Sequence, residues 1–344
     1  MATKGARRIT LATIAEAAGV SMPTVSKVVN GKHDVAPETR ARVRRLLEEH
    51  NYVAVGARNA PERPLVDLVF TALDSPWAVE IIRGVIGSGL QAVVSALSDA
   101  PDRARWAESL VSARRSGALV VTSELTASDR KVLLRARLPL VIIDPVDLPG
   151  AEVPSVGATN WAGGLSATEH LLELGHRRIA VIGGPAAYLC TRARIDGYRS
   201  ALEHAGLGFD PELVRHGDFR HEGGYRQALR LLSLPERPTA IFAGSDEQAL
   251  GTIEAARLSG LSVPADLSVV GFDDLPVARW SSPPLTTVRQ PLAEMGGQAG
   301  RMLADLISAV PLNSQRVELT TRLVVRASTA PPPASPGVVS VSRG

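Results

Sequence analysis

Apolar residues along this chain follow two different rhythms. Between residues 9 and 51 they recur every three or four positions in three short bursts, the spacing of one helix face. The first burst, Leu11, Ile14, Ala15 and Ala18, stands behind Thr10 as an N-cap and stops at Gly19. The second starts at Ser21, carries Pro23 in its first turn and repeats Val25, Val28 and Val29; its other positions hold Thr24, Ser26, Lys27 and Asn30. The third begins near Pro37 and turns Val43, Leu46 and Leu47 inward, leaving Arg40, Arg42, Arg44 and Arg45 outward. A small three-helix unit over residues 1–52 is predicted. The following stretch, VAVGARNAPERP at 53–64, has no periodicity, two prolines and a glycine, and reads as a linker.

From Leu65 the pattern becomes short, continuous apolar runs alternating with amphipathic stretches. Strands are predicted at 65–73, 91–97, 117–121, 139–144, 178–184, 239–246 and 267–274, with helices among them at 102–115, 161–174, 192–205, 222–232 and 247–259. Continuous apolar strands separated by helices indicate parallel sheets covered on both faces. The length of residues 65–329 suits two doubly wound lobes. The proline-rich segment 330–344 is predicted to be a disordered tail.

Charge changes the picture more than composition does. The net charge of the whole chain is +3, but residues 1–63 hold 11 Lys/Arg against 6 Asp/Glu, a net of +5, and the rest is at −2. One small basic module and a larger near-neutral part fit contact with a polyanion by the first and a separate task for the second. Aromatic residues make up 4% of the chain, which disfavours stacking platforms for single strands. A lone cysteine, Cys190, excludes a disulfide framework and a cysteine-rich metal site. The N-terminal MATKGARRIT has basic residues without an apolar run behind them, no segment approaches a membrane span, and a cytoplasmic location is expected.

Two helices joined by a tight turn at Gly19 and Val20 can cross steeply and project the second into a major groove. In that pose Thr24, Ser26 and Asn30 meet the backbone, while Met22, Pro23 and Lys27 lie nearest the bases; a generic helical hairpin is the bland alternative. The stretch ITLATIAEAAGVSMPTVSKVVNGKHDVAPETRARV resembles the DNA-binding headpiece of the LacI family of bacterial transcriptional repressors. The likeness continues through NWAGGLSATEHLLELGHRRIAVIGG, RARIDGYRSALEHAG, GDFRHEGGY, PTAIFAGSDEQALG, VPADLSVVGFDD, PPLTTVRQPLAEMG and LVVRAST, which are similar to that family's effector-binding core. It implies a homodimer that binds double-stranded operator DNA, and a core like that of periplasmic sugar-binding proteins. A small effector between the lobes would set DNA affinity. It also assigns DNA contacts to Thr10, Ser21, Thr39 and Tyr52 beside the residues of the second helix.

Ligands of open α/β sheets bind beyond the carboxyl ends of the strands. Asp144, Ser245, Asp246, Asp273 and Asp274 follow predicted strands, and Trp77, Asn160, Trp161, Arg194 and Phe219 occupy loops or helix starts. Carboxylates with an arginine suit vicinal hydroxyls, and aromatic faces suit the apolar side of a pyranose. By the family's motif, Arg194, Phe219 and Asp273 are the strongest effector contacts. Asp144, Asn160, Ser245, Asp246, Trp77 and Trp161 join them, while Asp274 is read as a turn or capping residue. A neutral mono- or oligosaccharide is expected, with a purine or other metabolite as the alternative.

Enzyme signatures are missing. Gly183-Gly184-Pro185 lacks the lysine and spacing of a phosphate loop, no GxSxG occurs, and His170 and His176 are off metal-ligand spacing. His176 is read as a helix-end residue near the negative pole of the dipole. No catalytic residue, metal or cofactor is expected. A sugar receptor or transporter component is the competing class, disfavoured by the basic headpiece.

Three departures from the family stand out. Ala36 replaces the serine cap of the third helix, with Pro37 as partial compensation. The linker puts Ala60 and Pro61 where a hinge helix would carry its leucine, so a poor or absent hinge helix and weaker kinking of the operator centre are predicted. Gly84, Gly87 and Gly89 crowd the helix after the first strand, which is predicted to be cut short.

Overall fold

The computed structural model describes residues 10–29, 35–49, 64–97, 100–122, 127–150 and 152–333. Asn30, Tyr52, the linker up to Arg63 and residues 334–344 lie outside the described residues. The chain divides into two compact units, Met1–Arg63 and Pro64–Gly344.

In the first unit, helices α1 (Leu11–Ala18), α2 (Met22–Val29) and α3 (Pro37–Glu49) form a small bundle. The Thr10 hydroxyl accepts from the Thr13 amide, and Gly19 adopts the left-handed conformation that ends α1 and turns the chain into α2. Ser21 opens α2 by accepting from the Thr24 amide at 3.4 Å. Ile14, Ala15, Ala18, Val25, Val28, Val35 and Val43 are buried together. Leu11, Leu46 and Leu47 are only half-buried, because so small a bundle cannot enclose every member of its apolar stripes. The third helix starts at Pro37 without a side-chain serine cap, as the Ala36 substitution requires.

Among the described residues the second unit holds two six-stranded sheets. The first lobe contains β1 (Leu65–Phe70), α4 (Pro76–Gly87), β2 (Gln91–Ala96), α5 (Ala100–Ser112), β3 (Gly117–Val121), α6 (Ala127–Arg135), β4 (Leu140–Ile143) and β5 (Ser155–Ala158). The second contains α7 (Asn160–Glu173), β6 (Ile179–Gly183), α8 (Leu189–His204), β7 (Val214–His216), α9 (His221–Leu232), β8 (Ala240–Ala243), α10 (Asp246–Leu258), β9 (Ser268–Asp273), α11 (Pro276–Trp280) and β10 (Thr286–Arg289). The chain then returns to the first lobe with α12 (Leu292–Ile307) and β11 (Arg316–Leu319), and ends in the second with β12 (Arg322–Val324). The strand orders are β11-β5-β4-β3-β1-β2 and β12-β10-β9-β8-β6-β7; the pairs are parallel except β10 with β12. Three crossings therefore join the lobes, at Thr159, at Gln290–Pro291 and near Thr321.

Helices lie close enough for backbone contact where glycines meet. In α4 a side chain at Gly84 would strike the Ala293 carbonyl of α12, and one at Gly296 would strike Ile81. Helix α4 does end at Gly87 after twelve residues, but Gly84 sits inside it, serving the α12 contact rather than breaking the helix. Gly164 of α7 and Gly197 of α8 form a second such crossing, pressed on the backbones of Arg194 and Trp161.

Ala330, read from the sequence as the start of a tail, is bonded into the second lobe. Its amide donates to Ser268 and its carbonyl meets His176, which also bonds Thr239. His176 does follow the end of α7, its amide closing on the Leu171 carbonyl, and its buried ring also ties strands together; burial lowers its pKa, and the Ala330 carbonyl opposes that.

Candidate functional site

Two surfaces carry the candidate chemistry. On the first unit, α2 buries Val25 and Val28 and presents Met22, Pro23 and Lys27 outward, with Thr24 and Ser26 half-buried beside them. Ser21 and Thr24 share a hydroxyl–hydroxyl bond of 2.8 Å at the start of the helix, and Thr10 and Thr39 lie exposed and half-buried on the flanking helices. Met22 and Pro23 stand at the leading end of α2, and Lys27 carries an ammonium in its last turn.

In the second unit a cleft between the lobes brings together Trp77, Asp144, Arg194, Phe219, Ser245 and Asp273. It encloses about 200 Å³. Asp144 and Asp273 are each 6% exposed, and neither carboxylate has a hydrogen-bond partner among the described residues. Burial pushes both carboxyls up from their ordinary pKa, most strongly at Asp273, and the charge of Arg194 opposes the shift.

Arg194 is held from behind. Its Nε donates to Asn160 Oδ1 at 2.8 Å, Nη1 to the Gly244 carbonyl and Nη2 to Gln290 Oε1 at 3.2 Å. The guanidinium also lies 3.7 Å from the centre of the Phe272 ring. The Ser245 hydroxyl caps α10 by accepting from Gln248 and donates to the Phe219 carbonyl at 2.7 Å, so it fixes Phe219 rather than offering a free group.

Backbone strain marks the same place. Of eight non-glycine residues with positive φ among the described residues, Thr122, Asp144, Phe219 and Asp273 all line this cleft. Such strain persists where surrounding structure over-determines it, which is common at ligand sites. At the mouth, Arg220 of the second lobe pairs with Asp74 of the first and lies 3.6 Å from Glu247, which also accepts from Ser75. This ionic cluster fastens the two lobes across the opening.

Residues 10–54 match the model of bacterial regulatory proteins of the lacI family, and residues 168–329 match a periplasmic binding protein-like domain. The chain is 35% identical to the HTH-type transcriptional regulator CelR of Thermobifida fusca, over 94% of this chain and 98% of that one. The chain belongs to the LacI family. Its members are DNA-binding transcriptional regulators, and the headpiece and two-lobed core found here are their architecture. The ribose operon repressor of Escherichia coli (strain K12) is 34% identical, over 93% of this chain and 99% of that one. Among solved structures, a CelR–cellobiose complex aligns with a TM-score of 0.72 at 35% identity, covering 93% of this chain and 100% of that one. A lac repressor dimer bound to operator and an anti-inducer aligns with a TM-score of 0.79 at 28% identity, covering 94% and 100%.

Within this LacI-family core some sequence expectations need correction. Asp246 is fully buried away from the cleft. Its carboxylate accepts from the Leu275 amide at 2.7 Å and from Thr287 Oγ1 at 2.5 Å, and burial raises its pKa to about 7. It ties α10 to β10 and has no face left for an effector. Asn160 supports Arg194 and borders an adjoining cavity together with Trp161, not the cleft itself. Asp274 is a buried partner of Arg326 and lies 3.9 Å from Arg279, more than a turn residue. Sequence reading missed Tyr188, Asp218, Arg220 and Glu247, which line the cleft. The GDFR motif held Asp218 and Arg220 beside Phe219, but only the pairing with Asp74 shows their place. No helix among the described residues is long and apolar enough to cross a membrane.

Proposed function

We propose that this protein is a cytoplasmic, homodimeric operator-binding repressor, without catalytic activity, whose DNA affinity is set by a neutral sugar held between the core lobes. The observation that carries this reading is the pair of buried, unbonded carboxylates Asp144 and Asp273 beside Arg194 and Phe219. Vicinal hydroxyls donate to such carboxylates and accept from the free guanidinium hydrogens, while the aromatic faces of Phe219 and Trp77 take the apolar side of the ring. The relatives support it: one solved CelR structure is a cellobiose complex, and a LacI-family regulator from Enterococcus faecium carries ribose.

The effector acts through differential affinity. Closed lobes surround it with groups from both sides, so it favours the closed arrangement by the free energy of those contacts and shifts the DNA-binding equilibrium with it. In the headpiece, Thr10, Ser21, Thr24, Ser26, Thr39 and Tyr52 hold phosphates, and Asn30 joins them; Met22 and Pro23 offer apolar surface to a thymine methyl and Lys27 reads a guanine.

Electrophoretic shift on genomic fragments, with and without a sugar panel, tests the whole reading. A specific complex at moderate salt that one sugar strengthens or dissolves is expected. Absence of any specific complex would remove the repressor assignment, and a complex indifferent to every sugar but responsive to purines would replace the effector class.

A further inference from the structure

The interlobe space does not end at the cleft. Beyond Asp144 and Cys190 lies a side chamber of about 310 Å³, bordered by Asn160, Trp161, Ala193, Arg316 and Glu318. Among the described residues the two chambers share Asp144, from the first lobe, and Cys190, from the second, as their common wall. One side chain from each lobe forms the partition, so any parting of the lobes joins the chambers.

Three observations point to a ligand there. The buried, unbonded carboxylate of Asp144 borders both spaces, so one group can accept hydroxyls from either side. Trp161, 45% exposed at the start of α7, belongs to none of the hydrophobic clusters and offers its indole to the chamber. Arg316 and Glu318 sit two apart on the edge strand β11, paired at 2.9 Å and half-exposed at the rim, where both can exchange their mutual bond for hydroxyls. Volume agrees with this. About 200 Å³ is small against the roughly 300–1,000 Å³ of ordinary ligand pockets, whereas the two chambers together fall inside that range.

We infer that the side chamber is a second sugar subsite, so that the effector is an oligosaccharide with one ring in the cleft and the next beyond Asp144, covered by Trp161. This rests on the sugar reading of the cleft. The test is calorimetric binding to the full-length protein with matched sugars: glucose against cellobiose and maltose, xylose against xylobiose, mannose against mannobiose. One disaccharide should bind at least about 10-fold tighter than its monosaccharide. Trp161→Ala should remove most of that advantage, Trp161→Phe should keep it within about 3-fold, and Glu318→Ala should reduce it several-fold. Circular dichroism melting of each variant checks folding. Equal affinity for both lengths, or an advantage untouched by Trp161→Ala in a folded variant, overturns the second subsite while leaving the cleft standing. Binding of no sugar of either length overturns the sugar reading itself.

Discussion

The headpiece and the core place their working groups on opposite sides of the water boundary. Lys27, Met22 and Pro23 face outward from a bundle whose buried residues are small and aliphatic, whereas Asp144, Arg194 and Asp273 are nearly enclosed. Exposed polar groups cost the fold little, so the headpiece can change its reading face without losing stability. Enclosed charges are expensive unless something offsets them, so in the core the site and the stability are coupled. The strained φ values of Asp144, Phe219 and Asp273 show the same expense in backbone form.

This contrast can be broken first at the helix crossing that carries Arg194. Gly164→Val would drive a side chain into the Arg194 carbonyl; a loss of about 3 kcal/mol in denaturant unfolding is expected, with the effector response lost as well. Arg194→Ala comes next. It leaves the Gly244 carbonyl and Gln290 short of donors and two buried carboxyls short of their cation, so about 2 kcal/mol of stability and all effector response should go while operator binding stays. Retained induction in that variant would count against the cleft.

The headpiece should behave oppositely. Lys27→Ala is expected to lose about 1–3 kcal/mol of binding at the preferred operator and to relax its sequence preference, with stability unchanged to within about 0.5 kcal/mol. Ser26→Ala should weaken all DNA sequences alike, by less. Quantitative shift assays on matched and mismatched operators separate the two. If both variants lowered the melting temperature as Arg194→Ala does, the distinction between the regions would fail.

The remaining effect is a slope with pH. In the unfolded chain Asp246 ionises near its ordinary value of 3.8, but in the fold it keeps its proton to about 7. Between those values the native state binds more protons than the unfolded one, so this group's contribution to stability is present at low pH and falls as pH rises toward 7. Asp246→Asn should remove that fall, so the variant gains on the natural protein as pH rises from about 4 to about 7, by at most about 1.4 kcal/mol per pH unit, with no further gain above that. Parallel pH profiles of the two proteins would show that Asp246 is ionised throughout.

Much of this was legible in the sequence because long apolar runs and helix periodicity report on burial directly. The strands at 65–70, 117–121 and 179–183 lie inside the predicted runs. Ser155–Ala158, Val214–His216, Thr286–Arg289, Arg316–Leu319 and Arg322–Val324 were not, since three or four residues of mixed polarity carry no period. Those short strands include the ones that flank the lobe crossings, so the hinge was the least visible part. The cleft residues of the family motif could be named in advance, but not their division of labour. Asp246 and Ser245 follow one strand together, yet only tertiary hydrogen bonds tell that one ties helix to strand and the other steadies Phe219. The two glycine crossings were invisible because the sequence shows a helix-weakening residue, not the backbone it lets in.

The anchorage of Arg194 has a mechanical consequence. Asn160 adjoins the first lobe crossing, and Gln290 belongs to the second. The guanidinium facing the cleft is therefore bolted to two of the three pivots about which the lobes turn. A group anchored at the pivots hardly moves when the lobes turn, while the Arg220 clasp lies at the mouth, where a small rotation opens a wide gap. The effector-facing cation thus stays nearly still while the clasp moves.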